Sequence, residues 1–102
     1  MMMTATLLDD TQIAPATAIL KAMANESRLR ILCLLMAGER SVTQINRDMA
    51  LSQSALSQHL AVLRQERLVN TRRSSQVIYY SLNGHVAERL IATLAELDLG
   101  QR

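Results

Sequence analysis

The 102-residue chain has no phenylalanine and no tryptophan, two tyrosines, one cysteine, one proline and three glycines. Each scarcity removes a class of protein. One cysteine cannot build a disulfide framework, so a hydrophobic core has to hold the fold. Without large aromatics, that core must be made of Leu, Ile, Val, Ala and Met, which suits packed helices better than a β-sandwich. No run of about 18 apolar residues occurs, so no membrane span is expected. The opening MMMTATLLDD lacks a basic segment followed by a long apolar run. It does not read as a secretory signal, and a cytoplasmic location is the expectation. There is no Gly-rich phosphate loop and no pair of carboxylates on one polar face, and only two His accompany the Cys. Neither an enzyme nor a cofactor is expected.

What is present is hydrophobic content of 49% in a length that suits one domain with one modest core. The net charge is +2, unevenly placed. Between Arg40 and Gln76 lie six arginines against two carboxylates, a balance of +4, while the rest of the chain holds five basic and seven acidic residues, a balance of −2. A positive middle between negative ends fits a polyanionic partner for the middle, or simply an uneven solvated surface.

Residues 1–10 show no periodicity and read as a mobile arm, leaving 11–102 as the domain. A first helix is expected to start between Thr11 and Pro15, with Pro15 in its first turn, and to end near Ala24. Ile13, Ala16, Leu20 and Met23 or Ala24 form its apolar stripe. Asn25 caps a second helix. There Leu29, Leu32, Cys33 and Met36 recur at helical spacing, and Ile31, Leu34 and Leu35 widen the stripe until the helix looks buried nearly all round. Gly38 ends it. Ser41 and Gln44 form a capping box for a short third helix. After a turn at Ala50-Leu51, Ser52 caps a fourth helix reaching about Glu66. The period then changes: Leu68–Arg73 and Gln76–Leu82 read as a β-hairpin with Ser74-Ser75 at its tip. Asn83-Gly84 breaks it, and Val86 to Leu99 is a last helix with Val86, Leu90, Ile91, Leu94 and Leu97 apolar.

The stretch LSQSALSQHL (Leu51–Leu60) combines two faces. Leu56, His59, Leu60 and Leu63 fall on one stripe of the fourth helix. Ser54, Ser57, Gln58, Ala61, Arg64 and Gln65 fall on the other. Short hydroxyl and amide side chains let a helix lie deep in a DNA major groove, where Gln can bond adenine and Ser can meet many base edges. A capped short helix, a turn and this helix form a helix-turn-helix, whose second helix reads bases. The hairpin behind it, carrying Arg72 and Arg73, would be a wing on the DNA backbone or minor groove. The fold class is therefore mainly α with a small β-hairpin, a winged helix-turn-helix ordered α-α-α-α-β-β-α.

Three segments, KAMANESRLRILCLLMAG, LSQSALSQHLAVLRQERLV and SSQVIYYSL, resemble the ArsR/SmtB family, over about residues 17–97. The first segment is most similar to the non-metal HlyU and biofilm-repressor branch. The resemblance implies a homodimeric transcriptional regulator, repressor or anti-repressor, that binds an operator inverted repeat in double-stranded DNA. It implies Gln53, Ser54, Ser57 and Gln58 as base-reading residues, with His59 at a phosphate. Arg64, Arg72, Arg73 and Gln76 complete the expected DNA-binding set. The first and last helices would form the dimer interface, through Leu20, Leu90, Ile91, Leu94 and Leu97. Ala50 departs from the glycine common at that turn in the family; if the turn needs positive φ, Ala costs about 1 kcal/mol there.

Many members of the family bind metals. Here the third helix, SVTQINRD, has neither Cys nor His, and the last helix offers His85 without a second His, so no metal site is expected. In the non-metal branch a Cys at the position of Cys33 pairs with one in the last helix, here near Leu99, and this chain has no second Cys. Cys33 is then either a small buried hydrophobe or a single-thiol redox sensor. His59 reads as a packed histidine rather than a ligand. A helical interaction module that has lost DNA binding is the reading from another class; Gln58, Arg64, Arg72 and Arg73 weigh against it.

Overall fold

The computed structural model describes residues 7–101. Most of the expected arm, residues 1–6, lies outside them. Helix α1 is Asp10–Met23, so Asp9 and Asp10 belong to a helix start rather than to an arm. The Asp9 carboxylate accepts from the Thr11 and Gln12 amides, and the Gln12 side chain accepts from the Asp9 amide at 3.1 Å. This capping box starts the helix earlier than expected and leaves Pro15 in the second turn. There its missing N–H frees the Thr11 carbonyl on an exposed stretch, where water can satisfy it. Of the expected α1 stripe, Met23 is buried while Ile13 and Leu20 are exposed; Ala22, not expected, is buried beside it.

Helix α2, Glu26–Met36, is capped by Asn25, whose side-chain oxygen accepts from the Arg28 amide at 3.0 Å. It packs against α1, α3, α4, α5 and the sheet. Ile31, Leu32 and Leu35 are buried, but Cys33 and Met36 are exposed, which corrects the expectation of a helix buried all round. Five consecutive apolar residues, Ile31–Leu35, carry no period, so the sequence could not say which flank faces outward.

A short strand β1, Arg40–Ser41, leads into α3, Val42–Met49, and was not foreseen. Ser41 and Gln44 form the expected capping box, at 3.1 and 2.8 Å. Ala50 closes α3 at φ 55°, ψ 39°, the left-handed region. Helix α4, Gln53–Gln65, follows, with Ser52 Oγ accepting from the Ala55 amide at 3.1 Å. Strands β2, Val69–Ser74, and β3, Val77–Leu82, form the hairpin, and β1 joins β3 to make an antiparallel sheet of order β1-β3-β2. Ser74 pairs with Val77, so the tip is Ser75-Gln76, one residue later than expected. Ser75 takes φ 56°, the positive value that a tight two-residue hairpin turn demands. Helix α5, Val86–Ala95, stops short of the expected Leu99. Asp98 has φ 52° and a 3₁₀ turn covers Leu99–Gln101. The core gathers Ile31 and Leu32 of α2, Ile45 of α3, Leu56 and Leu63 of α4 and Tyr80 of β3.

Candidate nucleic-acid interface

The geometry of α4 follows from its two stripes. Leu56, Leu60 and Leu63 are 1%, 3% and 0% exposed, each contributing about 1.5–3 kcal/mol of apolar burial. That anchoring turns the opposite side outward, and Gln53, Ser54, Ser57, Gln58, Arg64 and Gln65 are all exposed. The left-handed Ala50 ends α3 and turns the chain toward the start of α4.

Between α4, α3 and the hairpin runs an open groove of about 430 Å³. Gln53, Ser57 and Arg64 line it from α4, Gln76 from the tip and Ile78 and Tyr80 from β3. Four residues of the expected DNA-binding set thus share one concavity, and Ser54 and Gln58 lie beside it on the exposed face of α4. Arg64 donates to the Tyr80 hydroxyl at 2.7 Å, tying α4 to the sheet. Tyr80 is buried and Tyr79 half-buried, the inward and outward pair expected of alternating strand positions.

His59 is half-buried, and its Nδ1 lies 3.4 Å from Arg28 Nη1. A guanidinium only donates, so a hydrogen bond here requires the lone pair on Nδ1. The same guanidinium donates to the carbonyls of Ala22 and Lys21 at the end of α1. Arg28 therefore joins α1 to α4, a role with no signal in sequence spacing.

The two wing arginines differ. Arg72 makes a two-pronged pair with Glu39, at 2.7 and 3.0 Å, and its guanidinium lies 4.4 Å from the centre of the Tyr79 ring. Hydrogen bonding to Arg72 holds the Glu39 carboxyl below its usual range, and the same bond raises Arg72. The other arginine–carboxylate pair among the described residues is Arg30–Glu26, and His85 Nδ1 lies 3.5 Å from Glu88 Oε1. Arg73 belongs to none of them and is exposed. Arg72 stands opposite Tyr79 and Arg73 opposite Ile78 in the ladder. Strand alternation therefore puts Arg73 on the Ile78 and Tyr80 side, the side of the groove, and Arg72 on the other.

The far side of the molecule is apolar. Leu20 is 57%, Leu94 39% and Leu97 55% exposed. A cavity of about 300 Å³ between α1 and α5 is lined by Leu20, Met23, Leu29, Leu90 and Leu94. Ile91 is half-buried beside it. Cys33 lies in a separate depression with Glu26, Arg30 and Asp48. Among the described residues no cluster of three His, Cys, Asp or Glu could hold a metal, and no helix is long and apolar enough to cross a membrane.

Residues 25–71, from the cap of α2 into β2, match the bacterial regulatory protein, arsR family. The transcriptional activator HlyU of Vibrio cholerae serotype O1 is 50% identical over 84 residues, covering 82% of this chain and 78% of that protein. The solved structure of HlyU from Vibrio cholerae N16961 superposes with a TM-score of 0.83 at 46% identity, over 89% of this chain and 99% of that one. The transcriptional repressor BigR from Xylella fastidiosa superposes with a TM-score of 0.81 at 31% identity, over 87% and 91% of the two chains. With this fold and this likeness the chain belongs to the ArsR family, on the branch of HlyU and BigR, and is a DNA-binding transcriptional regulator rather than an enzyme.

Proposed function

We propose that the chain acts as a homodimer that reads an inverted repeat in duplex DNA. Each α4 enters a major groove and each hairpin lies along the flanking backbone. The observation that carries this reading is the exposed α4 face of Gln53, Ser54, Ser57 and Gln58, next to a groove that ends at Gln76. These are short donors and acceptors of the kind that match base edges. Arg73 supplies the wing's phosphate contact. The dimer is supported by the exposed leucines of α1 and α5, which a second copy would cover.

A two-fold dimer presents two recognition helices, so half-sites should lie about 10 bp, or a multiple, apart. HlyU is named an activator and BigR a repressor. Occupancy of DNA is common to both outcomes, and the position of the site relative to a promoter decides between direct repression and displacement of another repressor. A reader of genomic DNA works in the cytoplasm.

The test is selection of bound fragments from a random-sequence pool, followed by footprinting and a Gln58→Ala variant. Protection of two symmetric half-sites is expected. Gln58→Ala should lose about 1–3 kcal/mol of discrimination at one base position while nonspecific binding stays unchanged. A single asymmetric footprint at full affinity contradicts the dimeric reading. An unchanged site preference in Gln58→Ala contradicts the role of α4.

A further inference from the structure

The wing carries two adjacent arginines, and their surroundings are not equivalent. We propose that Arg72 is not a phosphate contact but a positioning residue. Paired with Glu39 and stacked over Tyr79, it holds the hairpin in the pose from which Arg73 reaches the DNA backbone. This rests on the proposed docking of the wing and divides the labour within it.

Three observations carry it. First, one edge of the Arg72 guanidinium, Nη2 and Nε, is engaged by the Glu39 carboxylate, at 2.7 and 3.0 Å. A planar guanidinium facing a carboxylate in this way makes two parallel bonds that fix direction as well as distance. A phosphate could take that edge only by displacing the carboxylate, and the pair neutralises the charge that would attract it. Second, the flat face of the same guanidinium lies over Tyr79 at 4.4 Å, so the group is held on two sides by different chemistry. Glu39 immediately precedes β1 and Tyr79 is on β3, while Arg72 is on β2. The contact therefore ties β2 and β3 to the residue that leads into β1. Third, Arg72 and Arg73 point to opposite faces. Arg73 shares the face of Ile78 and Tyr80, which line the groove with Gln53 and Ser57. On that groove face Arg64 bonds the Tyr80 hydroxyl and ties the wing to α4.

A two-stranded ribbon extending into solvent is mobile unless something fixes it. Fixing it beforehand lowers the ordering cost when DNA binds, without adding a contact to DNA. The two roles leave different thermodynamic traces. A phosphate contact releases counterions and steepens the salt dependence by about one unit per charge; an internal brace changes affinity and leaves that slope alone.

The experiment uses the full chain and a fluorescein-labelled 30-base-pair duplex taken from a pool selected on the wild-type protein. Affinities are measured by anisotropy between 50 and 300 mM salt, with thermal melts confirming that each variant is folded. Arg73→Ala is expected to lower the slope by about one unit. Arg72→Ala should weaken binding by about three- to tenfold, the scale of ordering a few side chains, with the slope unchanged. Arg72→Lys should behave like Arg72→Ala, because an ammonium keeps the charge but neither the fork nor the flat face. In the Arg72→Ala/Arg73→Ala double variant, affinity should match Arg73→Ala alone, since an ordered wing has no value once its contact is gone.

A slope one unit lower in Arg72→Ala, restored by Arg72→Lys and additive with Arg73→Ala, would overturn the proposal and make Arg72 a phosphate contact. Unchanged affinity in a folded Arg72→Ala would overturn it too, leaving the pair a purely structural feature. If Arg73→Ala leaves both slope and affinity at wild-type values, it is the docking of the wing that fails.

Discussion

On the α4 side of the molecule Gln53, Ser54, Ser57 and Gln58 are exposed, Arg64 is tied to Tyr80, and Arg73 of the wing is exposed with no ion pair among the described residues. On the α1–α5 side the exposed side chains are Leu20, Leu94 and Leu97, with an apolar cavity between the helices. The first surface loses little by facing water. The second leaves hydrocarbon in water at a cost of about 25 cal/mol per Å². One face is built to exchange hydrogen bonds and the other leaves hydrocarbon to be covered; the proposed function gives the first to DNA and the second to another copy of the chain.

The comparison can be broken most severely by giving the apolar face the character of the polar one. Leu90→Glu with Leu94→Glu should yield a monomer in analytical ultracentrifugation. Its DNA affinity should fall by about 100-fold or more, because the second half-site is no longer tethered to the first. A dimer of wild-type stability in that variant would show that another surface pairs.

A smaller change tests the polar side. Tyr80→Phe removes only the hydroxyl that Arg64 reaches at 2.7 Å. Loss of one hydrogen bond to a charged, part-buried donor should lower unfolding stability by about 1–2 kcal/mol, measured by urea denaturation. No change would mean that Arg64 re-forms an equivalent bond with water.

Ala50 offers a gain of similar kind. It holds φ 55° without being glycine. Ala50→Gly should relieve left-handed strain of about 1–2 kcal/mol, partly offset by about 0.4–1 kcal/mol of extra freedom in the unfolded chain. A net rise of about 0.5–1 kcal/mol is expected in the same assay. A fall in stability would mean that the Ala50 methyl makes a contact worth more than the strain.

The smallest effect is expected at Cys33, which is exposed and belongs to neither face. Iodoacetamide should modify it in the folded protein without a prior unfolding step, and Cys33→Ser should bind DNA within about twofold of wild type, as surface substitutions usually do. A tenfold loss of affinity on oxidation, absent in Cys33→Ser, would make the thiol a sensor.

Much of the helix-turn-helix was legible because its signals are local. The Ser41–Gln44 box, the Ser52 cap and the Leu56–Leu60–Leu63 stripe each lie within one or two helical turns. The positive φ demanded at Ala50 could be anticipated as a condition of the turn. What escaped was either non-local or without period. Glu39 and Arg72 are 33 residues apart, and Arg28 and His59 are 31 apart, so no spacing rule pairs them. Strand β1 has two residues, too few to show alternation. The outward flank of α2 was hidden in an unbroken apolar run. At the start of α1, Pro15 was the louder signal, yet the Asp9–Gln12 box decided the boundary. The stop of α5 at Ala95 was masked by leucines at 97 and 99, which remain exposed and continue the apolar face rather than the core.

The central claim is that two recognition helices in one dimer read two symmetric half-sites. The direct measurement is an anisotropy titration of the selected duplex against the same duplex with one half-site scrambled, at fixed salt. The account predicts a loss of about 100-fold or more, toward the level of unrelated DNA, with two chains per intact duplex. Equal affinity for the two duplexes, or one chain bound per intact site, would contradict it.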